Sequence, residues 1–300
     1  MIYYKEPVYR PPSEANSLLI QVTEGCSYNC TFCIGNEGKK FLVRSIDEIK
    51  KDIDNSAMIY GNSVRKMFLL DGNAFVIKPE QLTEIAAYAY KKHPKLTRIG
   101  AYAHSGDILK KTDSDLKKIK EAGVKIVYLG IETGDDDLLK AINKKVTSND
   151  IIEAIHKLYK AGITLSATII LGLAGNNSEA SRQHAIQTAM LINKIKPGTQ
   201  VPWYLSALTL MIPRGTTIYN DVKTKQFHPM TNLEILEELL CFLENLDDDL
   251  SKCIFRVNHA SNYLELESNN LAKNKNSLIE QVKIAITNPS RLKKESFRGL

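Results

Sequence analysis

The 300-residue sequence contains no apolar run approaching the length of a membrane span. Its opening, Met1-Ile2-Tyr3-Tyr4-Lys5-Glu6, lacks the basic-then-apolar layout of a signal peptide. No Gly/Ser-rich linker interrupts it, and 16 glycines and 10 prolines among 43% hydrophobic and 25% charged residues exclude a fibrous or largely disordered chain. A large excess of charge of one sign is also absent. A net +6 permits contact with an anionic substrate and argues against nucleic acid as a partner. Lysines are spread along solvated helical faces, and only Arg291 to Arg298 is locally basic, as a frayed terminus would be. Cysteine is too sparse, and odd in number at five, for a disulfide framework. The expectation is a cytoplasmic protein in a reducing compartment, without a membrane partner, as a monomer or weak dimer.

Three of those cysteines, Cys26, Cys30 and Cys33, stand in one polar loop with the spacing C-x3-C-x2-C, directly after an apolar run. Clustered thiolates are soft ligands, suited to zinc or to the irons of an Fe–S cluster. A closed structural zinc site takes four protein ligands, whereas three leave one metal position open. A zinc knuckle completed by a distant His or Cys is the plainer alternative. Cys241 and Cys253 read as core thiols.

Along the chain, strand-length apolar runs alternate with amphipathic stretches. Strands are expected at Leu18–Val22, Lys66–Leu70, Leu96–Tyr102, Val124–Leu129, Thr164–Leu171 and Tyr204–Met211. Helices are expected from a Ser45/Glu48 capping box to about Asn55, and at Pro79–Lys92, Asp113–Ala122, Asn149–Ala161, Glu179–Lys194 and Leu233–Leu246. Past Cys253 the pattern breaks into the polar run Arg256, Val257, Asn258, His259, Ala260, Ser261, Asn262 and Tyr263, with one more helix from Ser277 to about Thr287. Six βα units argue for an α/β fold with a parallel sheet, as a partial open barrel or a doubly wound sheet. In either, ligands gather at the carboxyl ends of strands. The cysteine loop, Asp71-Gly72-Asn73, His104 to Asp107, Glu132-Thr133-Gly134 and Gly172 to Gly175 all occupy such ends and are expected to converge on one mouth.

The cysteine spacing, Phe32 before the third cysteine, and Leu129-Gly130-Ile131-Glu132-Thr133-Gly134 followed by Asn143-Lys144 together resemble the radical SAM superfamily. The likeness is to the subgroup holding oxygen-independent coproporphyrinogen oxidases, the elongator catalytic subunit and tRNA methylthiotransferases. It covers about Leu18 to Tyr219. It implies a partial (β/α)6 TIM-like barrel over residues 1–250, with a short extension, 251–300, packed on it. Cys26, Cys30 and Cys33 would then bind three irons of a [4Fe–4S] cluster, whose fourth iron chelates S-adenosylmethionine. Phe32 would lie beside the adenine. Asp71-Gly72-Asn73 stands where a Gly-Gly-Glu-like turn receives the methionine amino group. It departs from that pattern, with Asp71 the candidate charge. Glu132 and Lys144 fall at polar contacts to the cofactor, Thr168 and Gly172 beside ribose and adenine, and Leu208 to Leu210 at a backbone edge. His104 and Asp107 are ligand contacts or helix caps.

The implied reaction is reductive cleavage of S-adenosylmethionine to a 5′-deoxyadenosyl radical that takes hydrogen from a small molecule, with a nucleoside or peptide as further candidates. Electrons would come from a donor such as flavodoxin or ferredoxin. Aminocarboxypropyl transfer from the same cofactor, and a non-catalytic Fe–S or metal-binding protein, are the competing readings. Arg256, Asn258, His259, Asn262 and Tyr263, a run dense in hydrogen-bonding side chains beside apolar segments, are expected to close the mouth and bind substrate, the plainer alternative being that they fold back to satisfy backbone groups.

Overall fold

The computed structural model describes residues 2–198 and 201–299. In chain order the first half runs β1 (Leu18–Gln21), β2 (Thr23–Glu24), β3 (Leu42–Val43), α1 (Ile46–Tyr60), β4 (Lys66–Leu70), α2 (Pro79–Lys92), β5 (Arg98–Ala103), α3 (Ser105–Leu109), α4 (Asp113–Glu121) and β6 (Val124–Glu132). The rest is α5 (Asp136–Ala141), α6 (Ser148–Lys160), β7 (Thr164–Leu171), α7 (Ser178–Lys194), β8 (Trp203–Thr209), α8 (Thr217–Lys223), α9 (Asn232–Glu244), β9 (Cys253–Arg256), β10 (Glu267–Ser268) and α10 (Leu271–Thr287). Strand–helix alternation and parallel pairing make the fold α/β, as the sequence pattern implies.

Local signals explain most boundaries. Ser45 caps α1 in a reciprocal capping box with Glu48, Pro79 opens α2, and Thr112 pairs with Asp115 at the start of α4. Gly123, at φ +109°, releases the chain from α4 into β6. Several expectations are corrected. Helix α1 continues to Tyr60, and α10 starts at Leu271 under an Asn270 cap. Strand β6 runs through Gly130 to Glu132 instead of ending at Leu129. The pattern does not break at Cys253. Cys253–Arg256 forms a further strand, parallel to β8 in the register Trp203↔Cys253 to Ser206↔Arg256.

The chain divides into two compact units, Met1–Asn29, Cys33–Leu129 and Glu153–Leu165 in one, Cys30–Phe32, Gly130–Ile152 and Ser166–Leu300 in the other. In the first, β1 pairs with β4 (Leu18↔Met67), β4 with β5 (Lys66↔Arg98) and β5 with β6, all parallel. Alternation along these strands sends Phe68, Leu70, Ile126, Tyr128, Leu19 and Tyr102 to one face, where Val8 of the N-terminal segment packs on them. The ring of Phe68 meets those of Tyr102 and Tyr128 edge-on at 4.9 and 5.3 Å. A separate ribbon, β2 with β3, is antiparallel and closes the base of the cysteine loop. In the second unit β7, β8 and β9 run parallel, β10 adds antiparallel, and α9 packs between α7 and α10. Cys253 is fully buried there, and burial pushes its thiol pKa well up, so it is the inert core thiol expected. Among the described residues no helix is long and apolar enough to cross a membrane.

Candidate active site

In the first unit the turn after β4 seats the cysteine loop, and each of its three residues does so differently. Asp71 is buried, and its carboxylate is already satisfied: Oδ2 accepts from Lys39 Nζ (2.5 Å), Gln21 Nε2 (3.2 Å) and Gly25 N (3.2 Å), and Oδ1 from Gly72 N (2.7 Å). The candidate charge for the cofactor is therefore spent on the protein, one residue short of Cys26. Gly72 supplies space. A Cβ there would stand 2.5 Å from Cys26 Cβ and 2.9 Å from Cys26 Cα and Gly25 O. Asn73 donates to Asp107 Oδ2 (2.6 Å) and Ser27 Oγ (3.4 Å) and accepts from His104 N (3.2 Å).

His104 is the N-cap of α3, its Nδ1 accepting from Gly106 N at 3.1 Å, and its ring stacks on Tyr28 of the cysteine loop at 3.5 Å. Burial works to raise the pKa of Asp107, but its hydrogen bonds from Lys110 and Asn73 outweigh that and hold the group below the usual carboxylate range. The cap alternative thus describes what His104 does, and both side chains also support the loop.

Within the loop, Asn36 Oδ1 accepts from Cys26 N (2.5 Å) while its Nδ2 donates to Tyr28 O (2.8 Å). Gly35 N donates to Cys33 Sγ (3.4 Å). Cys26 and Cys30 are partly exposed, Cys33 is exposed, and none forms a disulfide. Among the described residues no three or more His, Cys, Asp or Glu side chains are gathered at metal-holding geometry. The chemistry of the donors nonetheless suits a cluster: three thiols within eight residues of sequence, a backbone N–H directed at Cys33 Sγ, and at Gly72 a seat for Cys26 with no room for a side chain. Asn36 and Lys39 were not foreseen, because nothing in their spacing marks a brace.

In the second unit Thr31 N donates to Ile142 O (3.1 Å) and Thr31 O accepts from Ile218 N (3.0 Å), which fixes Cys30–Phe32 at both sides. Phe32 packs on Ile142, Ile170, Leu173, Leu210 and Ile218. Glu132, in the left-handed region at φ 65°, and Lys144 form a buried ion pair of 2.7 Å. Gly130 makes room for it, since a Cβ there would overlap Glu132 Oε1.

Thr168 and Leu208 lie on β7 and β8, paired in the registers Thr168↔Ser206 and Ile170↔Leu208, and Gly172 follows at φ +87°. Gly172 N donates to Glu238 Oε1 (2.7 Å); Glu238 also accepts from Ser181 Oγ (2.5 Å) and lies 3.2 Å from His184 Nδ1. A signal for Glu238 existed: it falls on the apolar face of α9, three residues after Ile235 and four before Phe242. Glu238→Ala, which orphans these donors, is expected to cost about 3 kcal/mol in urea unfolding, against about 1 kcal/mol for Glu234→Ala at the capping box.

The polar run after β9 is stitched to its own unit. Arg256 donates to Phe255 O, Ser268 O and Asn269 Oδ1. His259 Nδ1 accepts from Ser261 N (3.2 Å), and burial with Lys293 nearby lowers its pKa. Asn262 is buried, donating to Ala207 O and accepting from Thr209 Oγ1, both at 2.9 Å. Tyr263 donates to Glu295 Oε2 (2.5 Å) and accepts from Arg298 Nη1 (2.7 Å); Asn258 is exposed. The basic tail is held too, since Arg298 also donates to Ser261 O (2.6 Å) and Leu210 O (2.9 Å).

The sequence matches the family model of the Radical SAM superfamily over residues 20–185. It is 22% identical to an uncharacterised methyltransferase of Pyrococcus horikoshii, over 70% of this chain and 47% of that one. It is 23% identical to the heme chaperone HemW of Bacillus subtilis, over 68% of this chain and 52% of the other. The chain spans about half the length of these curated relatives. Coproporphyrinogen III oxidase of Escherichia coli, described as a radical SAM enzyme, shares the fold with a TM-score of 0.54 at 14% identity, over 76% of this chain and 52% of its own. The fold is that of the TIM-like partial barrels, and the chain belongs to the radical SAM superfamily, whose cofactors are a [4Fe–4S] cluster and S-adenosylmethionine.

Proposed function

We propose that this chain reductively cleaves S-adenosylmethionine and directs the resulting radical at hydrogen on a small molecule. The observation that supports it most is the C-x3-C-x2-C loop seated on the 71–73 turn, at the carboxyl end of a parallel strand. Cys26, Cys30 and Cys33 would hold the cluster, which when bound supplies the electron that splits the sulfonium. Asp71, neutralised by Lys39, keeps the loop in place instead of meeting the cofactor. Glu132 and Lys144 offer paired charges to an amino-acid moiety, and the apolar cluster around Phe32 excludes water. An external reductant is required. The bonds made by Arg256, His259, Asn262 and Tyr263 favour a bracing role for that run over direct substrate contact.

After anaerobic reconstitution with iron and sulfide, addition of dithionite and S-adenosylmethionine is expected to yield 5′-deoxyadenosine, and Cys30→Ala to yield none. Methylthioadenosine as product would replace this reading with aminocarboxypropyl transfer. No cleavage by a fully loaded wild-type sample would sink both.

A further inference from the structure

The ribbon β2–β3 pairs only Thr23↔Val43 and Glu24↔Leu42, too little backbone to shape the loop between them. The bracing comes from side chains. Lys39, on the returning limb, has a fully buried side chain whose Nζ donates to Asp71 Oδ2 (2.5 Å) and to the carbonyl of Pro7. The same carboxylate oxygen takes Gly25 N from the outgoing limb. One carboxylate thus staples both limbs, and one ammonium balances it.

The second acceptor of Lys39 belongs to the N-terminal segment. That segment lies along β1 through Lys5 N to Gln21 Oε1 (2.7 Å) and Gln21 Nε2 to Lys5 O (3.3 Å). Its far end is tied by Glu14 Oε1 to Tyr128 OH (2.5 Å) and Arg98 Nη1 (2.8 Å). Val8, between the two anchors, packs on the aromatic face of the sheet.

We propose that Lys39 is a positioning residue for the cluster loop, and that the same ammonium locks the N-terminal segment over the sheet. This rests on the reading that Cys26, Cys30 and Cys33 hold the cluster. Removing the ammonium cuts the bond that ties the returning limb to residue 71, so the loop loosens whichever side chain stands there, and in the single variant it also leaves the Asp71 carboxylate buried without a countercharge, which costs stability. It also leaves the Pro7 carbonyl without its donor, which frees the segment.

The full chain, Lys39→Met, and Lys39→Met combined with Asp71→Asn decide it. In the cluster-free proteins, chymotryptic cleavage after Tyr9 is expected to run about tenfold faster in both variants than in wild type, because both lose the tie to Pro7. The melting temperature is expected to fall in the single variant and recover in the double one, where the buried charge is gone. After reconstitution, the change that S-adenosylmethionine induces in the electron paramagnetic resonance spectrum of the reduced cluster is expected in wild type and lost in both variants. If the double variant recovers the protection of Tyr9 and the spectral response along with its stability, Lys39 is a charge balance alone and the proposal is overturned. Should the single variant fail to fold, the neutral double variant carries the test. A wild-type chain that assembles no cluster refutes the underlying reading, while cleavage after Tyr9 still judges the lock.

Discussion

Gly72→Ala is expected to give a folded chain that no longer loads iron on the cysteine loop. The added Cβ would sit 2.5 Å from Cys26 Cβ and 2.9 Å from both Cys26 Cα and Gly25 O. Two of those three neighbours are backbone, so no side-chain rotation relieves the clash and the loop itself must lift. Gly72 is not in the left-handed region, and the cost is therefore one of space, about 1–3 kcal/mol for overpacking. Lifting also pulls Gly25 N and Cys26 N away from Asp71 and Asn36, the bonds that shape the loop at its first cysteine. Gly38→Ala is the matched control. It has nothing within 4 Å of its Cβ but a φ of +67°, so it should pay about 1 kcal/mol of backbone strain and keep its iron. Iron per chain after reconstitution, read beside the melting temperature, separates the two. Full iron in Gly72→Ala would show that the turn after β4 does not seat the loop.

The same turn shows how far a sequence carries. Its place after the second expected strand was legible, because Lys66–Leu70 is a clean apolar run ended by Asp-Gly-Asn. So were β7, matched end to end at Thr164–Leu171, and the capping box of α1. Such features are written in neighbouring residues. What Asp71 bonds to was not legible, since Gln21, Gly25 and Lys39 reach it across 50, 46 and 32 positions. Strand β9 was missed for a related reason. Four residues ending in Arg256 give too short an alternation to read, and pairing with β8 supplies the order that propensity does not. Strand β6 extends three residues past the expected Leu129, through Gly130, to Glu132. Gly130 is a strand residue kept small for the Glu132 and Lys144 side chains.

That pair carries the second large expected effect. Glu132→Ala and Lys144→Ala are each expected to destabilise the chain by about 3–5 kcal/mol, since either takes the opposite charge of this ion pair away from a buried one. The double variant should recover much of the loss, because it removes both charges and both desolvation costs. Glu132 sits at φ 65°, a conformation that Ala tolerates no better than Glu, so a backbone cost is common to wild type and variant and drops out of the comparison. Urea unfolding of the four proteins gives the coupling energy directly. Affinity for S-adenosylmethionine, measured on the same set after reconstitution, then divides two roles. A pair that only braces the end of β6 returns the affinity with the stability in the double variant. A pair that meets the amino-acid moiety of the cofactor leaves it weak even where stability is regained, and that is the outcome expected from paired charges held so far out of water at a strand end.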